Sequence, residues 1–161
     1  MATLSATRLL KRWSDLYDQQ STFRTYWQEI ATYVVPHKAT ITIDRQPGAK
    51  QTEDLFDATA IESAGLLAAS LNGTMTPATQ PWISYRVRDD ALNEQDEIKA
   101  WLEDTAERMH RALRQSNFNT AIHETYLDLV AFGTACLYVE EQPALAGGTF
   151  GGFLFVPIPI G

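Results

Sequence analysis

The stretch "SNFNTAIHETYLDLVAFGTACLYVEE", Ser116 to Glu141, carries both halves of a fold in twenty-six residues. Ile122, Tyr126, Leu129 and Val130 recur at the spacing of one helix face. Gly133 predicts the helix end, because glycine adopts the left-handed conformation that closes a helix without a Cβ clash. "ACLYVEE", Ala135 to Glu141, then predicts a strand. In front, "SNFN" breaks the preceding helix, and Asn117 or Asn119 is expected to cap the new one. A helix that passes through a glycine into a strand makes the fold α+β.

The end of the sequence supplies the second strand. In "GGFLFVPIPIG", Gly151 to Gly161, the run Phe153, Leu154, Phe155, Val156, Ile158 and Ile160 predicts a strand buried on both faces. It pairs antiparallel with 135–141 across the loop "QPALAGGTFGG". A lone hairpin is marginal in water. Its edges and outer face are therefore expected to take neighbours from elsewhere.

Outward toward the N-terminus the chain is mainly helical, with about four helices. From Leu4 to Val34 the residues Leu9, Trp13, Leu16, Tyr17, Phe23, Trp27, Ile30 and Val34 predict one long amphipathic helix, with a bend or break allowed at 18–22. Pro36 stops it. Residues 36–52 read as a flexible polar loop. A second helix is predicted from about Asp57, its cap, to Asn72, ended by Gly73, with Ile61, Ala64, Leu67, Ala68 and Leu71 on one face. "WISYRV", 82–87, alternates like a strand. A third helix, Asn93 to Gln115, buries Ile98, Trp101, Leu102, Met109 and Leu113. It runs from acidic to basic along its dipole, with Asp104–Arg108 and Glu107–Arg111 as surface pairs.

Composition narrows the function. An apolar fraction of 45% and four tryptophans indicate a packed protein. A net charge of -7 disfavours tight binding to phosphates. Cys136 is the one cysteine, so no intrachain disulfide can form; in a strand it reads as a small buried apolar residue. No apolar run approaches the ~20 residues of a membrane helix, and no signal peptide is evident, which predicts a cytoplasmic product without a membrane partner. His37, His110 and His123 lie far from one another and from Cys136, and read as solvated surface residues. No phosphate-binding glycine motif occurs. The sequence predicts no catalytic, cofactor-binding or metal site, and no enzyme.

The order of the motifs is informative. "ATYVVPHK", then "LFDATAIESAGLLAASLNGTMTPATQPWISYRV", then an acidic helix, then 116–141, resemble the portal, or head-to-tail connector, proteins of short-tailed bacteriophages. The resemblance runs from about Leu16 to the end. It implies that residues 1–161 form a single N-terminal, wing-like portion of a truncated portal subunit, since the family's subunits are several times longer. Pro36 resembles the proline ending the first helix. Phe56, Asp57, Leu67 and Leu71 resemble the helix leading to the turn of Thr76, Pro77 and Trp82. Ser116, Asn117 and Phe118 resemble the break before the fourth helix, and Gly133 with Thr134 the helix-to-strand junction. These are folding landmarks; the family has no active site in this region.

The resemblance further implies a ring homo-oligomer, a dodecamer at one capsid vertex of the virion, assembled in the host cytoplasm. Its expected partners are other copies, capsid and scaffold proteins, terminase and tail adaptor proteins, with DNA passing through without sequence-specific binding. Read without the resemblance, the residues also suit a small acidic α+β binding or regulatory module that docks a partner through its long N-terminal helix.

Overall fold

The computed structural model describes residues 5–44, 46, 48–50, 52–143 and 150–160. The described elements are α1 (Ala6–Gln19), α2 (Ser21–Val34), a 3-10 turn at Pro36–Lys38, α3 (Thr59–Met75), α4 (Asp90–Asn93), α5 (Asp96–Gln115), α6 (Phe118–Phe132), β1 (Cys136–Glu141) and β2 (Phe153–Ile158). The fold is α+β, mostly helical, with one antiparallel strand pair near the C-terminus. Packing divides it into two units, Met1–Glu62 with Ile160–Gly161, and Ser63–Pro159.

In the first unit the long predicted helix is two helices, broken at Gln20 within the weakly helical stretch 18–22. Ser5 caps α1. The predicted apolar face does not become a core here. No residue of α1 is buried, and Leu9, Trp13, Leu16, Tyr17 and Phe23 are exposed. On α2 the buried residues are Gln28 and Ala31. The Gln28 carboxamide explains the rotation. Its Nε2 donates to the Ala39 carbonyl (3.1 Å) and its Oε1 accepts the Thr42 N–H (2.9 Å). Arg24 Nη2 donates to the Ile41 carbonyl at 2.7 Å while its guanidinium lies over the Tyr17 ring. These bonds satisfy a stretch of backbone that has no ladder of its own. Within the 36–52 connection, Pro36, Ala39 and Ile41 are buried; residues 45, 47 and 51 lie outside the described residues.

The division between units falls inside α3. Gly73 does not end this helix, which runs on to Met75. Gly73 keeps ordinary helical φ, and Thr76 bonds back to Asn72. Pro77 sets the end by excluding its predecessor from the helical region. Ala64 and Ala68 are buried as expected, but Leu67 is exposed. The third predicted helix is α4 and α5; Asp89 caps α4, its side chain accepting the Ala91 N–H. The Asp104–Arg108 and Glu107–Arg111 pairs form, at 2.8 and 2.9 Å. Of the predicted α5 stripe only Leu102 is buried, and Trp101 is 62% exposed.

In α6 the buried residues are Phe118, Ala121, Asp128 and Phe132, one position away from the predicted face. The hairpin lies on the side of Phe118 and Ala121, and Ile122 packs only at the margin of that cluster. Gly133 closes α6 with φ 72°, as its position predicts. In the hairpin Tyr138 pairs with Val156 and Val139 with Phe155. Phe155 is buried, but Tyr138, Val156 and Ile158 are exposed, so among the described residues β2 is not covered on both faces. Cys136 is exposed, contrary to expectation, because it lies on that outer side with Tyr138 and Ile158. No strand ladder includes 82–87 among the described residues.

Two glycines predict substitutions of opposite sign. Gly133→Ala costs about 1–2 kcal/mol, the penalty of a Cβ in the left-handed region. Gly65→Ala, on α3 with open space around a new Cβ, stabilises by about 0.5–1 kcal/mol. Urea unfolding midpoints at matched slope check both.

Candidate functional site

The motif residues converge where α5 turns into α6. Ser116 makes the corner. Its N–H and its hydroxyl both donate to the Leu113 carbonyl, and its Oγ accepts the Phe118 N–H at 3.1 Å. One hydroxyl thus closes α5 and opens α6. Asn117 is freed from the capping role expected of it and makes no cap bond. Its carboxamide reaches β2 instead. Oδ1 accepts the Phe155 N–H (2.9 Å) and Nδ2 donates to the Phe155 carbonyl (2.6 Å). A side-chain amide presents the same donor and acceptor as a peptide group, so Asn117 pairs with β2 as a one-residue strand would.

Aromatic rings fill the space behind this corner. Trp82 stacks on Phe118 with centroids 5.7 Å apart and planes 14° from parallel. Phe118 meets Phe155 edge to face at 5.1 Å. His110 lies edge-on to Trp82 at 5.8 Å. It is 7% exposed, a correction to its reading as a solvated residue. Its Nε2 accepts the N–H groups of Trp82 and Ile83, both at 3.3 Å. The spacing Leu102, Ala106, His110 placed this histidine on the buried side of α5; the charged neighbours hid that signal. Farther along, Asn93 bonds both the N–H and the carbonyl of Val87 at 2.9 Å. Residues 82–87 are therefore held by side chains at both ends, where a strand would be held by another strand.

Between this segment and α5 lies an open groove of about 1010 Å³, lined by Ile83, Tyr85 and Leu102 with Glu103, Glu107 and Arg114. Charges of both signs line it, and among the described residues no His, Cys, Asp and Glu group could hold a metal ion. Among the described residues no helix is long and apolar enough to cross a membrane.

The other motif positions lie apart from the corner. Pro36 is buried at the start of the 3-10 turn. Phe56 is 97% exposed. Leu71 is half-buried on α3, Pro77 is half-buried beyond it, and Thr134 is exposed after Gly133. Thr76 is buried and bonds Asn72 and, at 3.4 Å, the Tyr126 hydroxyl of α6. Asp57 Oδ1 accepts from the Thr59 hydroxyl (2.6 Å) and the Thr59 N–H (2.9 Å) at the start of α3. The hydroxyl first, then the amide, hold its carboxyl below the ordinary aspartate value.

Residues 6–160 match the family described as the bacteriophage head to tail connecting protein. The chain belongs to that family. Among curated relatives of this connector chain, a probable portal protein of Bordetella phage BPP-1 is 32% identical over 128 residues, 79% of this chain and 23% of the relative. A portal protein of Salmonella phage epsilon15 is 24% identical over 143 residues, 88% of this chain and 26% of the relative. The chain thus spans about a quarter of the length of these relatives. The connector family is a structural one, and the residues gathered at the α5–α6 corner join elements of the fold together.

Two measurements probe this corner and the start of α3. Asn117→Ala leaves both Phe155 backbone groups without a partner and costs about 1–3 kcal/mol, with faster amide exchange at Phe155; Asn119→Ala, on the exposed side, stays within about 0.5 kcal/mol. Because the Asp57 carboxyl is held low, its stabilising effect is full above the ordinary aspartate range and is lost as pH falls through the lowered value. The carboxyl resonance of Asp57 is expected to titrate at higher pH in Thr59→Val, and the stability difference between wild type and Asp57→Asn to vanish in acid.

Proposed function

We propose that this chain is the N-terminal, wing-like portion of a phage portal subunit. Its ring, a dodecamer, forms the channel at one capsid vertex for DNA packaging and ejection, and the platform where terminase and tail adaptor proteins dock. The subunit meets other copies, capsid and scaffold proteins, and resides in the virion after assembly in the host cytoplasm. The observation that carries the proposal is the family match over 6–160. The exposed apolar residues agree with it: Leu9, Leu10, Trp13 and Leu16 on α1, and Tyr138, Val156 and Ile158 on the hairpin, need cover that a larger assembly supplies. The balance of charge agrees as well. A surface at net -7 repels phosphates, so DNA passes with little adhesion. Of the motif residues, Pro36, Asp57, Leu71, Thr76, Pro77, Trp82, Ser116, Asn117, Phe118 and Gly133 hold the fold in shape for that assembly, while Phe56, Leu67 and Thr134 are exposed; we assign none of them a part in chemistry.

Electron microscopy of phage particles whose copy of this gene carries an epitope tag tests the reading. Antibody label at a single vertex is the expected result, with heads that hold no DNA when the gene is disrupted. Label spread over the shell, or filled heads without the gene product, would overturn it.

A further inference from the structure

Two segments of the second unit each hold half of a β-sheet contact. The first is the outer edge of β1. The Gln142 N–H donates to the Gly152 carbonyl. Antiparallel alternation then places Cys136, Tyr138 and Glu140 in bonded pairs with β2 and turns the backbone groups of Leu137, Val139 and Glu141 outward. On β2 the equivalent outward groups are blocked. Asn117 occupies those of Phe155, and Pro157 has no N–H to offer. Among the described residues no comparable bond covers the outer edge of β1, where Val139 is 49% exposed. One edge is thus closed and the other open.

The second segment is 82–87. It alternates as a strand does, with Ile83, Tyr85 and Val87 half-buried and Ser84 and Arg86 exposed. Between its two clamps, the amides of Ser84, Tyr85 and Arg86 have no hydrogen-bond partner among the described residues. Charge matches the two segments. β1 ends in Glu140 and Glu141 and has no basic residue, while 82–88 carries Arg86 and Arg88 and no acidic one.

We propose that the two meet between copies of this chain: residues 82–88 of one subunit add as a third strand to the free edge of β1 in its neighbour. This rests on the ring reading above and names the surfaces that build it. Donor and acceptor lie at different places on one subunit, so the contact is head-to-tail and propagates, as a ring requires and a two-fold dimer does not. Main-chain bonds supply the adhesion, and the Arg86 and Arg88 pairing with the acidic end of β1 sets the partner.

Cys136, exposed and without a second cysteine in the chain, supplies the test. Ser84→Cys is treated with a short bis-maleimide, which tolerates a two-residue uncertainty in register. The expected product is a ladder of dimers, trimers and higher species, because every subunit offers both ends. Wild type and Ser84→Cys with Cys136→Ser are expected to give none. Val139→Pro removes an outward amide without touching the β1–β2 ladder, and is expected to lower the ladder about tenfold. Arg86→Glu does the same without a proline, and Glu140→Lys with Glu141→Lys restores it. Circular dichroism confirms that each variant is folded. Dimers alone, no ladder, or a ladder indifferent to both Val139→Pro and Arg86→Glu overturns the proposal. Rings seen by microscopy in a sample without the ladder overturn this contact and leave the connector reading standing; absence from the particle vertex removes both.

Discussion

The bond on which the second unit depends joins one side chain to one residue of backbone. Asn117 sits where α5 becomes α6, and its carboxamide closes both hydrogen-bonding groups of Phe155. That places the hairpin against α6, and it lets Phe155 reach Phe118 and Phe118 reach Trp82. Removing the amide leaves two polar groups beside an aromatic cluster with no partner. The two bonds are part-buried, so water replaces the lost partner only in part and the freed groups of the buried Phe155 carry a cost. The same amide closes β2 to further pairing, so a single residue both builds the hairpin's position and decides which of its edges is open.

The recurring device in this chain is a side chain that stands in for a strand. Gln28 does it for Ala39 and Thr42, Asn93 for Val87, Asn117 for Phe155, and His110 for the amides of Trp82 and Ile83. Each lies on a helix or at its start and satisfies extended backbone nearby. The result is a fold in which, among the described residues, every buried side-chain polar atom has a partner while much apolar surface stays uncovered. Buried hydrophobic residues are few and many are alanines, whereas Leu9, Trp13, Phe56, Trp101, Val139 and Ile158 face outward. The chain spans about a quarter of the length of the relatives it matches, and the assembly proposed for it would cover these residues.

Periodicity and turn chemistry made the elements legible. Gly133 ended α6, Pro36 followed the last turn of α2, and the hairpin formed between the two predicted strands, since these outcomes depend on φ preferences and local spacing alone. The i, i+4 ion pairs of α5 were equally local. The failures share a different cause. The face that α6 buries, the burial of His110, the exposure of Cys136 and the continuation of α3 through Gly73 each depend on what lies against the element.

By itself the sequence determined the class of the fold, the succession of α6, β1 and β2, and the family, because residue spacing, turn residues and motif order are properties of the chain in one dimension. Only the tertiary structure decided that Asn117 serves β2 instead of α6, that 82–87 is held without a sheet, and that β1 keeps the open edge. Hydrogen bonds between residues thirty or forty positions apart leave no periodic trace, and a carboxamide chooses its partner by position in space.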